Sequence, residues 1–145
     1  MELNSKSLEK LATCHTDLQK LAIEAIINAP YEFIIINGYR TPDEQFELFK
    51  QGRTLKSGKW VKTGNIVTYL DGFIKKSKHN EWPSLAFDIG IILNGELVLD
   101  VPLYLDMALH ILKFADKLFD EDIINNRITW GGHWIIFKDF PHYQI

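Results

Sequence analysis

Cysteine is nearly absent from this chain of 145 residues: Cys14 is the only one. No internal disulfide can form, so nothing marks an oxidising compartment. A thiolate zinc site is excluded for the same reason. Cys14 falls in a helical apolar pattern and reads as a small core residue rather than a nucleophile. Long hydrophobic runs are missing as well. No stretch approaches the roughly 18 apolar residues of a spanning helix, so no stable membrane insertion is expected. Met1-Glu2-Leu3-Asn4-Ser5 lacks a basic start followed by an apolar stretch, so no signal peptide is expected. The protein is therefore read as made in the cytoplasm, with any extracytoplasmic work requiring release by another agent. Nor is one sign of charge dominant. Sixteen Lys and Arg against nineteen Asp and Glu leave a net charge of −3, which gives no general pull toward nucleic acid.

What is present is ordinary for a globular protein: 46% apolar and 24% charged residues, enough for one domain over 1–145 with a single core. Leu8, Leu11, Leu18, Leu21, Ala22, Ala25 and Ile26 fall at helical spacing over 7–28, and Pro30 stops the pattern. Glu32-Phe33-Ile34-Ile35-Ile36 reads as a buried strand closed by Asn37-Gly38. Thr41-Pro42-Asp43-Glu44 starts a helix, with Thr41 as cap, that runs to about Gln51 and ends at Gly52. Residues 52–78 read as a long functional loop with a short strand near 66–69. Leu85 to Leu93 is a second strand, and Asn94-Gly95 turns it back into Glu96–Leu99. A helix from Pro102 to about Phe119 follows, its expected buried stripe being Leu105, Leu109, Leu112, Ala115 and Leu118. Residues 127–130 and 142–145 read as two closing strands. The fold class is α+β, a small antiparallel sheet with helices packed on it.

Within this frame, two imidazoles and two carboxylates stand out. Alternation along 85–92 puts Ala86, Asp88 and Gly90 on one face, with Leu85, Phe87, Ile89 and Ile91 on the other. Asp88 thus lies in a strand that otherwise reads as core, where an unpaired carboxylate is costly and a metal would satisfy it. For an isolated Asp, a salt bridge or a strand-end hydrogen bond is the commoner arrangement. His79 precedes that strand, and Asp139 and His142 close the chain in Asp139-Phe140-Pro141-His142-Tyr143. Two imidazoles and one carboxylate make a three-ligand set that leaves zinc an open position, but spacing alone does not settle the assignment. His15 and His110 lie on expected helices without an acidic partner and read as structural.

From Gly38 onward the chain resembles the zinc D-alanyl-D-alanine-type metallopeptidases, whose fold is Hedgehog-like, and especially the phage L-alanoyl-D-glutamate endopeptidases (endolysins). The matching pieces are Gly38-Tyr39-Arg40-Thr41 with Glu44-Gln45, then Gln51-Gly52-Arg53-Thr54, then Ser77-Lys78-His79 with Ala86-Phe87-Asp88. The last is Trp130-Gly131-Gly132 followed by Phe137 to Gln144. The resemblance implies that His79, Asp88 and His142 bind Zn²⁺, that Asp139 is the catalytic base, and that Arg40 binds or polarises the substrate. Ser77 belongs to the motif and is expected to help hold substrate or the metal site. Two departures stand out. The His79–Asp88 connection is longer than in many relatives, and His133 stands where relatives commonly carry an acid and is a competing candidate ligand.

The implied activity is zinc-dependent hydrolysis of peptidoglycan peptide stems by a monomer acting in host cell lysis. The alternatives are a D,D-carboxypeptidase or dipeptidase of the same family, and a zinc-containing wall-binding module without turnover. The lysines at 56, 59, 62, 75, 76 and 78, with Arg53, read either as an approach for an acidic stem or as a solvated loop. Trp60, Trp82, Trp130 and Trp134 read either as cleft walls or as packing.

Overall fold

A computed structural model describes residues 1–145. The chain opens with two helices, not one. Helix α1 (Ser5–Leu11) is capped by Asn4, whose side chain accepts from the Ser7 amide. Helix α2 (Thr16–Ile27) is capped by His15, whose Nδ1 accepts from the Asp17 amide. The single helix expected over 7–28 breaks between them because the backbone there pairs with a distant segment: Ser84 N–H donates to Thr13 O and His15 N–H to Ser84 O. Strand β1 (Glu32–Asn37) then leads to α3 (Pro42–Lys50), where Thr41 and Glu44 form the expected capping box.

Residues 53–62 form a hairpin, β2 (Arg53–Lys56) and β3 (Lys59–Lys62), where the sequence reads as loop. Its turn is Ser57-Gly58, both at positive φ. The strand expected near 66–69 does not form. Strand β4 (Ala86–Leu93), β5 (Glu96–Val98), α4 (Val101–Asp120), β6 (Thr129–Trp130) and β7 (His142–Gln144) complete the chain.

The main sheet is antiparallel and built around β4. One edge of β4 pairs with β1, from Glu32 opposite Ile92 to Asn37 opposite Asp88. Its other edge pairs with β7 at the start, placing Asp88 opposite His142, and with β5 at the end. Strand β6 joins outside β7, with Trp130 opposite Tyr143. Phe87, Ile89 and Ile91 of β4 enter the core with Phe33, Ile35, Leu18, Leu21, Met107 and Ile111. Each such side chain contributes about 1.5–3 kcal/mol on burial. The buried stripe of α4 is Tyr104, Met107, Ala108, Ile111, Ala115 and Leu118. Of the stripe expected from sequence, Ala115 and Leu118 are buried and Leu112 packs at the margin, but Leu105 and Leu109 are exposed. No helix is long and apolar enough to cross a membrane.

Candidate metal centre

Period-two alternation and strand register together build the site. Asp88 projects from the face of β4 opposite Phe87 and Ile89, and His142 lies directly across from it on β7. Opposed residues of an antiparallel pair bring their side chains together on one face. His79 arrives from a short 3-10 turn, Lys78–Asn80. The Ser77 Oγ accepts from the His79 amide, and the Asn80 side chain accepts from the Ser77 amide. All three residues are buried. Their ligand atoms form a tight triangle: His79 Nε2 to Asp88 Oδ1 3.3 Å, His142 Nδ1 to Asp88 Oδ1 3.0 Å, and His79 Nε2 to His142 Nδ1 3.2 Å.

The outer hydrogen bonds fix what that triangle is. His79 Nδ1 lies 2.7 Å from the Gly38 carbonyl, which only accepts, so Nδ1 carries the proton and Nε2 is bare. His142 Nε2 donates to Gln144 Oε1 at 2.9 Å, which leaves Nδ1 bare. With both rings neutral, two lone pairs and a carboxylate oxygen converge with no proton between them, an arrangement that a cation relieves. Bonds of about 2.0–2.1 Å in a tetrahedron give ligand–ligand edges of roughly 3.3–3.4 Å, close to the triangle observed. The donor set fits a divalent metal ion.

The other oxygen of Asp88 accepts from Asn37 Nδ2 at 2.9 Å and lies 3.6 Å from Arg40 Nη2. Burial works to raise the Asp88 carboxyl, but the charge and hydrogen bonds of the His79 and His142 rings, once protonated, outweigh it and hold the group far below the ordinary carboxylate range. Arg40 leaves β1 with its amide donating to the His79 carbonyl, 2.8 Å, and its Nη1 donating to Gln45 Oε1, 2.8 Å. Gln45 is buried on α3 and donates in turn to Leu70 O at 2.9 Å.

These groups sit in an open cleft of about 930 Å³ lined also by Ser77, Asp139, Trp134 and Lys138. Asp139 and His142 share one turn, in which the His142 amide donates to Asp139 O and the Asp139 amide to Gly131 O. A side chain at Gly131 would overlap that Asp139 carbonyl, so the close approach of the two segments needs glycine there. Burial raises the Asp139 carboxyl, and the charge of Asp88 raises it further, against the opposing pull of His142, His79 and Arg40.

The structure thus brings together Arg40, Ser77, His79, Asp88, Asp139 and His142. It leaves His133 out: that ring is exposed, stands edge-on to Trp130 with centroids 5.0 Å apart, and lines a separate depression. His15 caps α2 and His110 Nε2 donates to Ala25 O, both structural. Cys14 is buried at the edge of the core. Among the basic residues of 53–78, Lys76 and Lys78 line the cleft, whereas Lys56, Lys59 and Lys62 lie on the exposed hairpin. Trp134 is a cleft wall against His142; Trp130 packs in the core, Trp60 against Phe46, and Trp82 against Tyr39. Sequence reasoning assigned no role to Asn37, Gln45 or Gln144. Gln144 was within reach, since period two puts it on the face of His142.

The family described as phage L-alanyl-D-glutamate peptidase matches residues 1–141. A relative, the peptidoglycan L-alanyl-D-glutamate endopeptidase CwlK of Bacillus subtilis (strain 168), is 34% identical over 127 residues, which cover 83% of this chain. The chain spans 65% of the length of that relative. The fold matches the crystal structure of the Serratia marcescens L-Ala D-Glu endopeptidase ChiX with a TM-score of 0.71, over 100% of this chain and 90% of the other, at 21% identity. With nearly its whole length matched, this chain belongs to the phage L-alanyl-D-glutamate peptidase family.

Proposed function

We propose that this chain is a zinc-dependent endopeptidase that hydrolyses the L-Ala–D-Glu bond of bacterial peptidoglycan stems, acting as a phage-type endolysin. The observation that carries the reading is the triangle of two inward-facing imidazole nitrogens and one carboxylate oxygen, 3.0–3.3 Å apart, in an open cleft. Family membership and the name of the Bacillus relative support the substrate.

His79, Asp88 and His142 would hold the zinc. When bound, the metal supplies Lewis acidity that activates water and polarises a carbonyl. Asp139 accepts the proton of the attacking water on its carboxylate and delivers it to the leaving amine. It lines the cleft on the turn that carries His142. Arg40 holds a substrate oxygen in the planar fork of its guanidinium, which Gln45 orients. Ser77 lines the cleft and shapes the turn that aims His79.

The test is product analysis on purified peptidoglycan. New L-Ala C-termini and D-Glu N-termini are expected, lost on chelation and restored by zinc. Released D-Ala instead would make the chain a D,D-carboxypeptidase, and full turnover in metal-free protein would sink the zinc reading.

A further inference from the structure

Trp134 belongs to two depressions at once. Its ring leans on the His142 imidazole, centroids 5.0 Å apart, and lines the cleft. It also lines a second, smaller depression of about 440 Å³, together with Leu112 and Asp116 of α4, Thr129, Trp130 and His133. The metal centre uses none of these other residues. The Trp130 indole N–H is already spent on the Phe140 carbonyl at 2.7 Å, so Trp130 offers this hollow only its ring. The polar rim is His133, Asp116, whose Oδ1 lies 3.7 Å from Arg127 Nη1, and Thr129, whose hydroxyl donates to Gln144 O at 3.4 Å and keeps its lone pairs for an acceptor role.

We propose that this second depression is a subsite for an N-acetylated sugar of the glycan strand, with Trp134 as the platform under the sugar ring. The inference rests on the peptidase reading above. A pyranose presents an apolar C–H face and a rim of hydroxyls, which matches an aromatic ring flanked by an imidazole, a carboxylate and a hydroxyl. Leu112 gives the acetamido methyl an apolar neighbour. The place fits as well as the chemistry. In peptidoglycan the amine of the first stem residue, L-Ala, is amide-bonded to the lactyl ether of a muramic acid. An enzyme that cuts the L-Ala–D-Glu bond therefore meets sugar within about two residue lengths of the scissile bond, the L-Ala and the lactyl group, or at most roughly 7 Å. The Trp134 platform, its centroid 5.0 Å from that of the His142 ring, stands within that distance of the ligand-bearing imidazole.

Two measurements test the proposal. The first compares hydrolysis of a stem tetrapeptide carrying the N-acetylglucosaminyl-N-acetylmuramoyl disaccharide with the same tetrapeptide capped by a plain N-acetyl group. The sugar-bearing stem is expected to have a kcat/KM higher by roughly tenfold, the scale of one good contact set. That ratio should fall to near one in the double variant Asp116→Ala with His133→Ala. A wild-type ratio near one, or a ratio that the double variant leaves unchanged, overturns the subsite. The second measurement is an NMR titration of the wild-type protein with the peptide-free disaccharide, following the Trp134 indole and the His133 ring. Shifts at both are expected, and none at either overturns the proposal. Loss of hydrolysis for both stems would count against the peptidase reading alone, because the titration needs no turnover.

Discussion

The guanidinium of Arg40 donates through Nη1 to the buried amide oxygen of Gln45 at 2.8 Å, while its Nη2 lies 3.6 Å from Asp88. Gln45 donates from its other end to Leu70 O, so one side chain ties Arg40 to the loop that walls the cleft. Gln45→Ala frees the guanidinium to leave the cleft. The expected result is a drop in kcat/KM of about 10- to 100-fold, the cost of a misplaced positioning group, with metal content unchanged. Gln45→Glu keeps the acceptor facing Arg40 and should recover part of the loss. Equal metal loss in both variants would place Gln45 in the support of the metal centre instead.

Asp139 carries no ligand role in this geometry, so its removal should separate binding from turnover. Asp139→Ala is expected to lower hydrolysis by roughly 10²- to 10⁴-fold, the range of general base catalysis, while metal analysis finds the full complement. A variant that retains near-normal turnover removes Asp139 from the mechanism.

Gln144 touches only the far nitrogen of His142, yet it sets which nitrogen faces the metal. Loss of such a partner typically weakens metal affinity about 10- to 100-fold. Gln144→Ala should show that loss in competition with a chromophoric chelator. Because a metal held by His79, Asp88 and His142 would bind the folded state, chelation of the wild type should also lower Tm.

These residues show how much of the molecule was legible in its sequence. Alternation alone placed Asp88 opposite the core-facing Phe87 and Ile89, and the two closing strands supplied His142. The motif resemblance then gathered Arg40, Ser77, His79 and Asp139, which no local pattern links. The misses share a cause. The break between α1 and α2 comes from backbone pairing with Ser84, some seventy residues away, and no local propensity reports that. The stripe of α4 failed because two sets of apolar positions obey the helical period, and only packing against α2 and the sheet selects Tyr104, Met107 and Ile111 over Leu105 and Leu109. The β2–β3 hairpin was hidden because its strands bury almost nothing, so no apolar alternation marks them.

Cys14 gives a pH prediction that rests mainly on burial, with the charge of Asp88 adding to it. Burial pushes its thiol from the ordinary 9.0 up to about 11. A group whose pKa is raised on folding stabilises fully below its unfolded value and loses that contribution as pH climbs to the folded one. Stability should therefore fall between about pH 9 and 11, by about 2–3 kcal/mol at most from this group. Denaturant melts of Cys14→Ala should lack that alkaline component; identical alkaline slopes for the two proteins would refute the assignment.

Tyr143 sits beside His142 on β7 with its ring stacked on Phe87, centroids 5.5 Å apart, and its hydroxyl buried without a hydrogen-bond partner. A buried hydroxyl left unpaired costs about 1–3 kcal/mol. Tyr143→Phe deletes that group and keeps the ring, so the variant should be more stable, by about 1 kcal/mol or a Tm rise of roughly 2–4 °C for a domain of this size. Tyr104 is the control. Its hydroxyl accepts from the Ile91 amide at 3.4 Å and donates to Val98 O at 3.3 Å, joining α4 to β4 and β5. Tyr104→Phe strands both backbone groups and should destabilise. The opposite signs of two identical substitutions in one core isolate hydrogen bonding from packing, and thermal melts of the two variants decide it. A drop in Tm for Tyr143→Phe would mean that its hydroxyl has a partner.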